Sequence, residues 1–210
     1  CLTEFGVGDR DYAETQAWQA QISGGISCFS SIRSELNDVQ SSKAIISFSS
    51  KCLRDNHLQI SKLLHSTIYE VRFDEDQRLQ ELIEQICARK ENSITGQGHS
   101  LAMSLASSRM SPTALLGHRS GGLEGIKQLK VLRAQMEQKS SRIELLGKFK
   151  SLHDKILVAN KEFLVIAEPE HRSQLISDID SVWGTSLGAA TDSPLELPPV
   201  RERVRQAWST

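Results

Sequence analysis

The stretch that decides how this chain is read runs from Phe73 to Gly125. It opens Phe73-Asp74-Glu75-Asp76, passes through Arg89-Lys90-Glu91-Asn92, reads Gly96-Gln97-Gly98-His99, and closes Gly121-Gly122-Leu123-Glu124-Gly125. Leu79, Leu82, Ile83 and Ile86 follow the i, i+3, i+4, i+7 rule of an amphipathic helix. Carried on at the same spacing, Ile94, Leu101 and Leu105 join that stripe. A loop at Gly96 would scramble the phase, so the spacing predicts one helix over about 74–109, roughly 50 Å long at 1.5 Å per residue. Each interior glycine costs about 1 kcal/mol relative to alanine. The pair Gly96 and Gly98 therefore predicts a second backbone element packed very close at that point. Asp74, Glu75 and Asp76 stand in the first turn, where they complement the helix dipole.

On the N-terminal side, Asp55 is a candidate N-cap for a helix burying Ile60, Leu64, Ile68 and Val71. Before it, Ile26 to Arg33 and Ala44 to Ser49 alternate at period two around Asn37-Asp38, which predicts an antiparallel hairpin with a loop longer than two residues. Gly24-Gly25 ends an earlier helix, Asp11 to Gln21, that carries Tyr12, Ala13 and Trp18. On the C-terminal side, Ser111-Pro112 places serine at an N-cap and proline at the first helical position. The helix it starts runs to about His118, and Gly121-Gly122 separates it from another that carries Ile126, Leu129 and Leu132. Ser141-Arg142-Ile143-Glu144 reads as a capping box opening a helix with Leu145, Phe149, Leu152 and Ile156 inward. Phe163 to Ala167 is apolar on both faces, the pattern of a buried strand. A last helix spans about His171 to Trp183. The fold class is α+β, a small, mostly antiparallel sheet against several helices. Residues 1–184 read as a single domain and 185–200, with Pro194, Pro198 and Pro199, as a linker. Residues 201–210 read as the start of a further unit.

Composition narrows the possible functions. The chain has 210 residues, 39% hydrophobic but only 5% aromatic, so its core is aliphatic. A net charge of −1 leaves no global electrostatic case for nucleic acid or a membrane surface. No apolar run reaches the roughly 20 residues that span a bilayer, and no signal peptide is legible. Cys1, Cys28, Cys52 and Cys87 form no Cys-x-x-Cys pair and read as reduced thiols, which favours a reducing compartment, the cytoplasm first. The residue at position 1 is not methionine, and the opening Cys1-Leu2-Thr3-Glu4-Phe5-Gly6 reads as the end of a helix, as in a fragment.

Searches for chemistry come back empty. His57 and His65 lie two turns apart on one helix without an acidic partner at ligand spacing. His99, His118, His153 and His171 form no His-x-x-Glu-His or His-x₃-His. In Gly96-Gln97-Gly98-His99-Ser100-Leu101 a leucine holds the third-glycine position of a dinucleotide fingerprint, and a helix precedes the motif where a strand is needed. There is no Gly-x-Ser-x-Gly elbow. Arg201, Arg203 and Arg205 are interleaved with Glu202, a solvated face. No catalytic, cofactor-binding or metal-ligating residue is assigned to this chain.

Taken in order, the motifs resemble one family. Leu2-Thr3-Glu4-Phe5-Gly6, Asp11-Tyr12, Gly24-Gly25-Ile26-Ser27, the Phe73 to Arg89 helix and Glu91-Asn92 are the first of them. Gly96-Gln97-Gly98-His99 and Arg205-Gln206-Ala207-Trp208 complete the set. Together they look like the presequence protease and falcilysin branch of the insulinase/pitrilysin zinc metallopeptidases. The resemblance implies an enzyme of four homologous α+β domains, in two halves that close around an unfolded peptide. It places this segment as the third, non-catalytic domain, truncated at both ends, with its first strand and most of its first helix before Cys1. Zinc is then expected in the N-terminal half of the parent, bound by an inverted His-x-x-Glu-His that this chain lacks. The arginine and tyrosine lent to the active site belong to the fourth domain, just past Trp208-Ser209-Thr210. The implied partners are the other domains of the same polypeptide and the peptide substrates of the parent. The fragment alone is expected to be inactive. The competing reading is a stand-alone helical interaction module that docks through the long helix, and a third, an independent enzyme, has only scattered polar residues behind it.

Overall fold

A computed structural model describes residues 2–184 together with 197, 198 and 200. The linker and tail readings, Trp208 included, fall almost wholly outside the described residues. Among those residues the chain forms eight α-helices and a two-stranded sheet, the α+β class that the sequence predicts. The chain divides into two compact units. One comprises Cys1–Phe29, Ser47–Arg78 and Ile143–Asp192, and the other Ser30–Ile46, Leu79–Arg142 and Ser193–Thr210.

The antiparallel hairpin is β1 (Ile26–Ser34) with β2 (Ser42–Ser50). Gly24 N–H donates to the Lys51 carbonyl at one end and Glu35 N–H to the Ser41 carbonyl at the other. The loop turns at Asp38, whose carboxylate accepts from Gln40 N–H at 2.9 Å.

The first unit gathers α1 (Tyr12–Ile22), α2 (His57–Tyr69), most of α7 (Lys139–Val158) and α8 (Arg172–Trp183). Its deepest side chains are Phe5, Val7, Leu63, Thr15 and Thr67. Asp11 caps α1 through a capping box, accepting from Glu14 N–H at 2.8 Å while Glu14 accepts from Asp11 N–H at 3.1 Å. The second unit gathers most of α3 (Asp76–Ser93), α4 (Gly98–Ser107), α5 (Pro112–Gly121) and α6 (Leu123–Gln135). Leu79, Leu82, Ile83, Cys87, Ile126 and Met136 fill its core. Ser111 caps α5, accepting from Ala114 N–H at 3.1 Å with Pro112 at the first helical position.

The predicted continuous helix over 74–109 is two helices. Helix α3 stops at Ser93, and Ile94 to Gln97 form tight turns, Ile94 N–H donating to the Glu91 carbonyl and Gln97 N–H to that of Ile94. Helix α4 restarts at Gly98. The four-residue turn advances the chain by little more than one helical turn, so Ile94 and Leu101 keep phase across a real break. Periodicity alone therefore cannot see it, and Leu105, further along, is 55% exposed. The close packing predicted at the glycines is absent too. A Cβ on Gly98 would meet nothing within 4 Å, and one on Gly96 only the Ser93 carbonyl at 3.9 Å. The close approach lies downstream, where a Cβ on Gly125 would come within 2.4 Å of the Ser120 carbonyl oxygen.

Three local readings are also corrected. Phe163 to Ala167 is not a buried strand: it carries no regular structure, and Leu164 and Ile166 are 87% and 89% exposed. Among the described residues no strand lies beside it, and a β-run takes its form from its neighbour. Ser141 lies inside α7, which starts at Lys139 because Arg142 N–H already reaches the Gln138 carbonyl. The buried stripe of α7 is accordingly Leu146 and His153, with Leu152 in solvent. Asp55 sits in a 3₁₀ turn, Arg54–Asn56, rather than capping α2.

Candidate functional site

The buried polar groups of the first unit converge where α2 packs on α8. His57 opens α2, and its Nδ1 contacts the Oδ2 of Asp178, a residue 93% buried in the middle of α8. The other carboxylate oxygen accepts from Gln174 Nε2 at 3.0 Å. A buried carboxylate without donors is costly, so these two contacts are what permit Asp178 to sit there. One turn further, Trp183 Nε1–H donates to Ser61 Oγ at 3.0 Å. The indole ring meets His65 and Phe163, each at 5.1 Å between centroids. His153, on α7, donates from Nε2 to the Ile68 carbonyl at 2.6 Å; the carbonyl can only accept, so that nitrogen carries the proton.

A second constellation ties the start of the chain to the start of α3. Glu75 accepts from Gly6 N–H at 2.6 Å and from Tyr12 N–H at 2.9 Å. Arg78 lies over the Tyr12 ring at 4.4 Å and donates to Glu4 through both its carbonyl and its carboxylate. Arg72 holds Asp74 bidentately, and that hydrogen bond lowers the Asp74 pKa below its ordinary value. The acidic triplet read as a dipole partner is thus divided. Asp76 starts the helix, while Asp74 and Glu75 bind other partners.

These arrangements hold structure. Among the described residues no hydroxyl or thiol is hydrogen-bonded to His57, so the His57–Asp178 pair has no nucleophile to activate. Ser61, one turn along α2, accepts from Trp183 instead. Cys28 and Cys52 are half-buried and burial raises both thiol pKa values, which keeps them protonated; Cys87 is fully buried. Glu168, Glu170 and His171 bring three potential ligand atoms within 4.8 Å of one another. They belong to one short turn with exposed carboxylates, a poor match to the closed tetrahedral set of a structural zinc. The spacing search passed over the His57–Asp178 pair because its members are 121 residues apart, and no local pattern announces it. His99, singled out by the glycine motif, is exposed on α4.

The sequence profile described as "Peptidase M-16C associated" matches residues 1–132, more than half of the chain. The chain belongs to this family. Its similarity extends past the matched segment into presequence proteases. It is 26% identical over 203 residues to "Presequence protease, mitochondrial" of Danio rerio, covering 96% of this chain and 20% of that protein. It is 29% identical over 150 residues to the Xenopus laevis protein of the same description, covering 71% of this chain and 14% of that one. Against "Presequence protease 1, chloroplastic/mitochondrial" of Arabidopsis thaliana it is 27% identical over 140 residues, 65% of this chain and 13% of that protein. The chain therefore spans about a fifth or less of the length of these relatives. As a peptidase-associated segment of this family it falls among the insulinase-like metallopeptidases, in a part of the molecule distinct from a complete enzyme. No helix among the described residues is long and apolar enough to cross a membrane.

Proposed function

We propose that this chain is the third, non-catalytic domain of a zinc-dependent metalloendopeptidase that degrades peptides in a closed chamber, to which it contributes wall and docking surface. The observation that carries this reading is the joint one. The chain aligns over 96% of its length with a presequence protease, covers only 20% of it, and presents no nucleophile–base set among its described residues. The zinc and the groups that act with it then belong to other parts of the parent, and peptides and the other domains are its partners. Helix α4 supports the docking role. Gly98–Ser107 contains no charged side chain, and Ala102, Met103 and Leu105 on it are exposed, an uncharged face of the kind that covers or is covered by protein. The compartments in the relatives' names move the expected location from the cytoplasm to a mitochondrion or chloroplast.

The test is peptide hydrolysis by the purified 210-residue chain and by the full-length protein, each with and without a zinc chelator. Cleavage by the full-length protein alone, abolished by chelation, is expected. Chelator-sensitive cleavage by the 210 residues themselves would overturn the assignment.

A further inference from the structure

Residues 162–167 stand apart from every other apolar run of the chain. Lys161 Nζ donates to the Leu157 and Ala159 carbonyls at the end of α7, and His171 N–H donates to the Glu168 carbonyl. Both ends of the segment are therefore held. Between them, Glu162-Phe163-Leu164-Val165-Ile166-Ala167 makes no backbone hydrogen bond among the described residues. Exposure alternates along it at period two. Phe163 and Val165 are 44% and 49% exposed, with Phe163 against Trp183, while Leu164 and Ile166 are 87% and 89% exposed. That alternation is the signature of an extended strand with one face turned to its own unit and the other in water.

Four successive large apolar residues, two of them β-branched, are not loop composition, where small and polar residues dominate. An unpaired run of this kind in water is a template for aggregation. The sequence reads it as a strand buried on both faces, and the 210 residues leave it uncovered. The contradiction disappears if the covering element lies outside them.

We infer that Phe163–Ala167 is a strand of a sheet completed by an extended segment of the same, longer polypeptide, which pairs with its backbone and covers Leu164 and Ile166. Two observations select this occupant. Two-faced apolar character requires permanent cover, and a transient peptide would leave the strand bare between visits. The relatives that align over nearly all of this chain are about five times as long, so a polypeptide of that kind has the length to supply the strand. The inference rests on the proposed membership of a longer protein, but on none of its chemistry.

Hydrogen exchange read by mass spectrometry tests it on the 210-residue chain and on the full-length protein. The expected result is rapid exchange of the 162–167 amides in the chain alone and exchange on the order of 100-fold slower or more in the full-length protein, the protection of a paired strand. That protection should be unchanged by dilution or by added peptide. Equally fast exchange in both would overturn the inference. So would protection in the chain alone that grows with its concentration, which marks a second copy, or protection in the full-length protein only when peptide is added. Leu164→Lys provides a second reading. It should leave the melting of the 210-residue chain unchanged and lower the protection of the full-length protein; equal effects on both would contradict a partner outside the chain. Neither readout needs peptidase activity, so this inference and the proposed function can fail separately.

Discussion

Alanine substitution at Gly98 and at Gly125 should move stability in opposite directions. Both residues are helical, Gly98 opening α4 and Gly125 in the first turn of α6, so both gain the same intrinsic helix preference, about 1 kcal/mol at an interior position. At Gly98 nothing lies within 4 Å of the added Cβ, and the φ angle is one any residue adopts. Gly98→Ala should therefore stabilise the chain by about 0.4–1 kcal/mol, mostly through the unfolded state. At Gly125 the Cβ would lie 2.4 Å from the Ser120 oxygen, 2.5 Å from its carbonyl carbon and 2.7 Å from the Arg119 oxygen. All three are backbone atoms, so no side-chain rotation relieves the clash. An overpacking cost of about 1–3 kcal/mol then outweighs the helical gain, and Gly125→Ala should be destabilising. Urea unfolding followed by circular dichroism is the assay, comparing midpoints at unchanged slope. A destabilising Gly98→Ala would restore the close neighbour that the glycine motif suggests. A neutral or stabilising Gly125→Ala would show that α5 and α6 do not approach as described.

Other substitutions discriminate equally well. Leu79→Ala empties a fully buried site and should cost about 2–5 kcal/mol, whereas Leu105→Ala, on the same nominal stripe but 55% exposed, should change the unfolding midpoint little. Trp183→Phe keeps most of the ring but leaves the buried Ser61 hydroxyl without its donor; a loss of about 1–3 kcal/mol in denaturant unfolding is expected. The Asp74, Glu91 and Glu144 pKa values are all lowered, chiefly by hydrogen bonds from Arg72, Lys130 and Lys148. Depressed carboxylates contribute stability that is present above their ordinary values, 3.8 for Asp and 4.5 for Glu, and lost as pH falls through their folded-state values. These pairs are exposed, so the effect is modest. The melting temperature should be insensitive to these groups above about pH 5.5 and decline below about 4.5, and in Arg72→Gln the Asp74 carboxyl should titrate at higher pH in an NMR titration.

Much of the local architecture was legible because it depends on neighbours in sequence. Ser111-Pro112 carries its own cap and fixed φ, Asp38 its own turn, and the alternation of Ile26 to Arg33 its own period. The hairpin and the starts of α1 and α5 follow from such signals. The emptiness of the histidine search was legible too, since ligand spacing on a helix is local. What failed, failed for one reason. The break at Ile94–Gln97 keeps helical phase, so the stripe from Leu79 to Leu101 reads the same whether or not it is interrupted. The glycine pair gave a false contact because glycine permits close approach without requiring it; Gly125 is pressed against Ser120, and Gly98 faces open space. The His57–Asp178 pair, 121 residues apart, exists only because α2 packs on α8.

The sequence alone determined the α+β class, most helix and hairpin positions and the family resemblance, because propensity, capping and motif order are written along the chain. Only the tertiary structure decided which glycine is a close contact, which carboxylate is buried, and that Phe163–Ala167 stands uncovered. Those are questions of which surfaces meet, and apolar spacing says that a face wants cover without saying what will cover it.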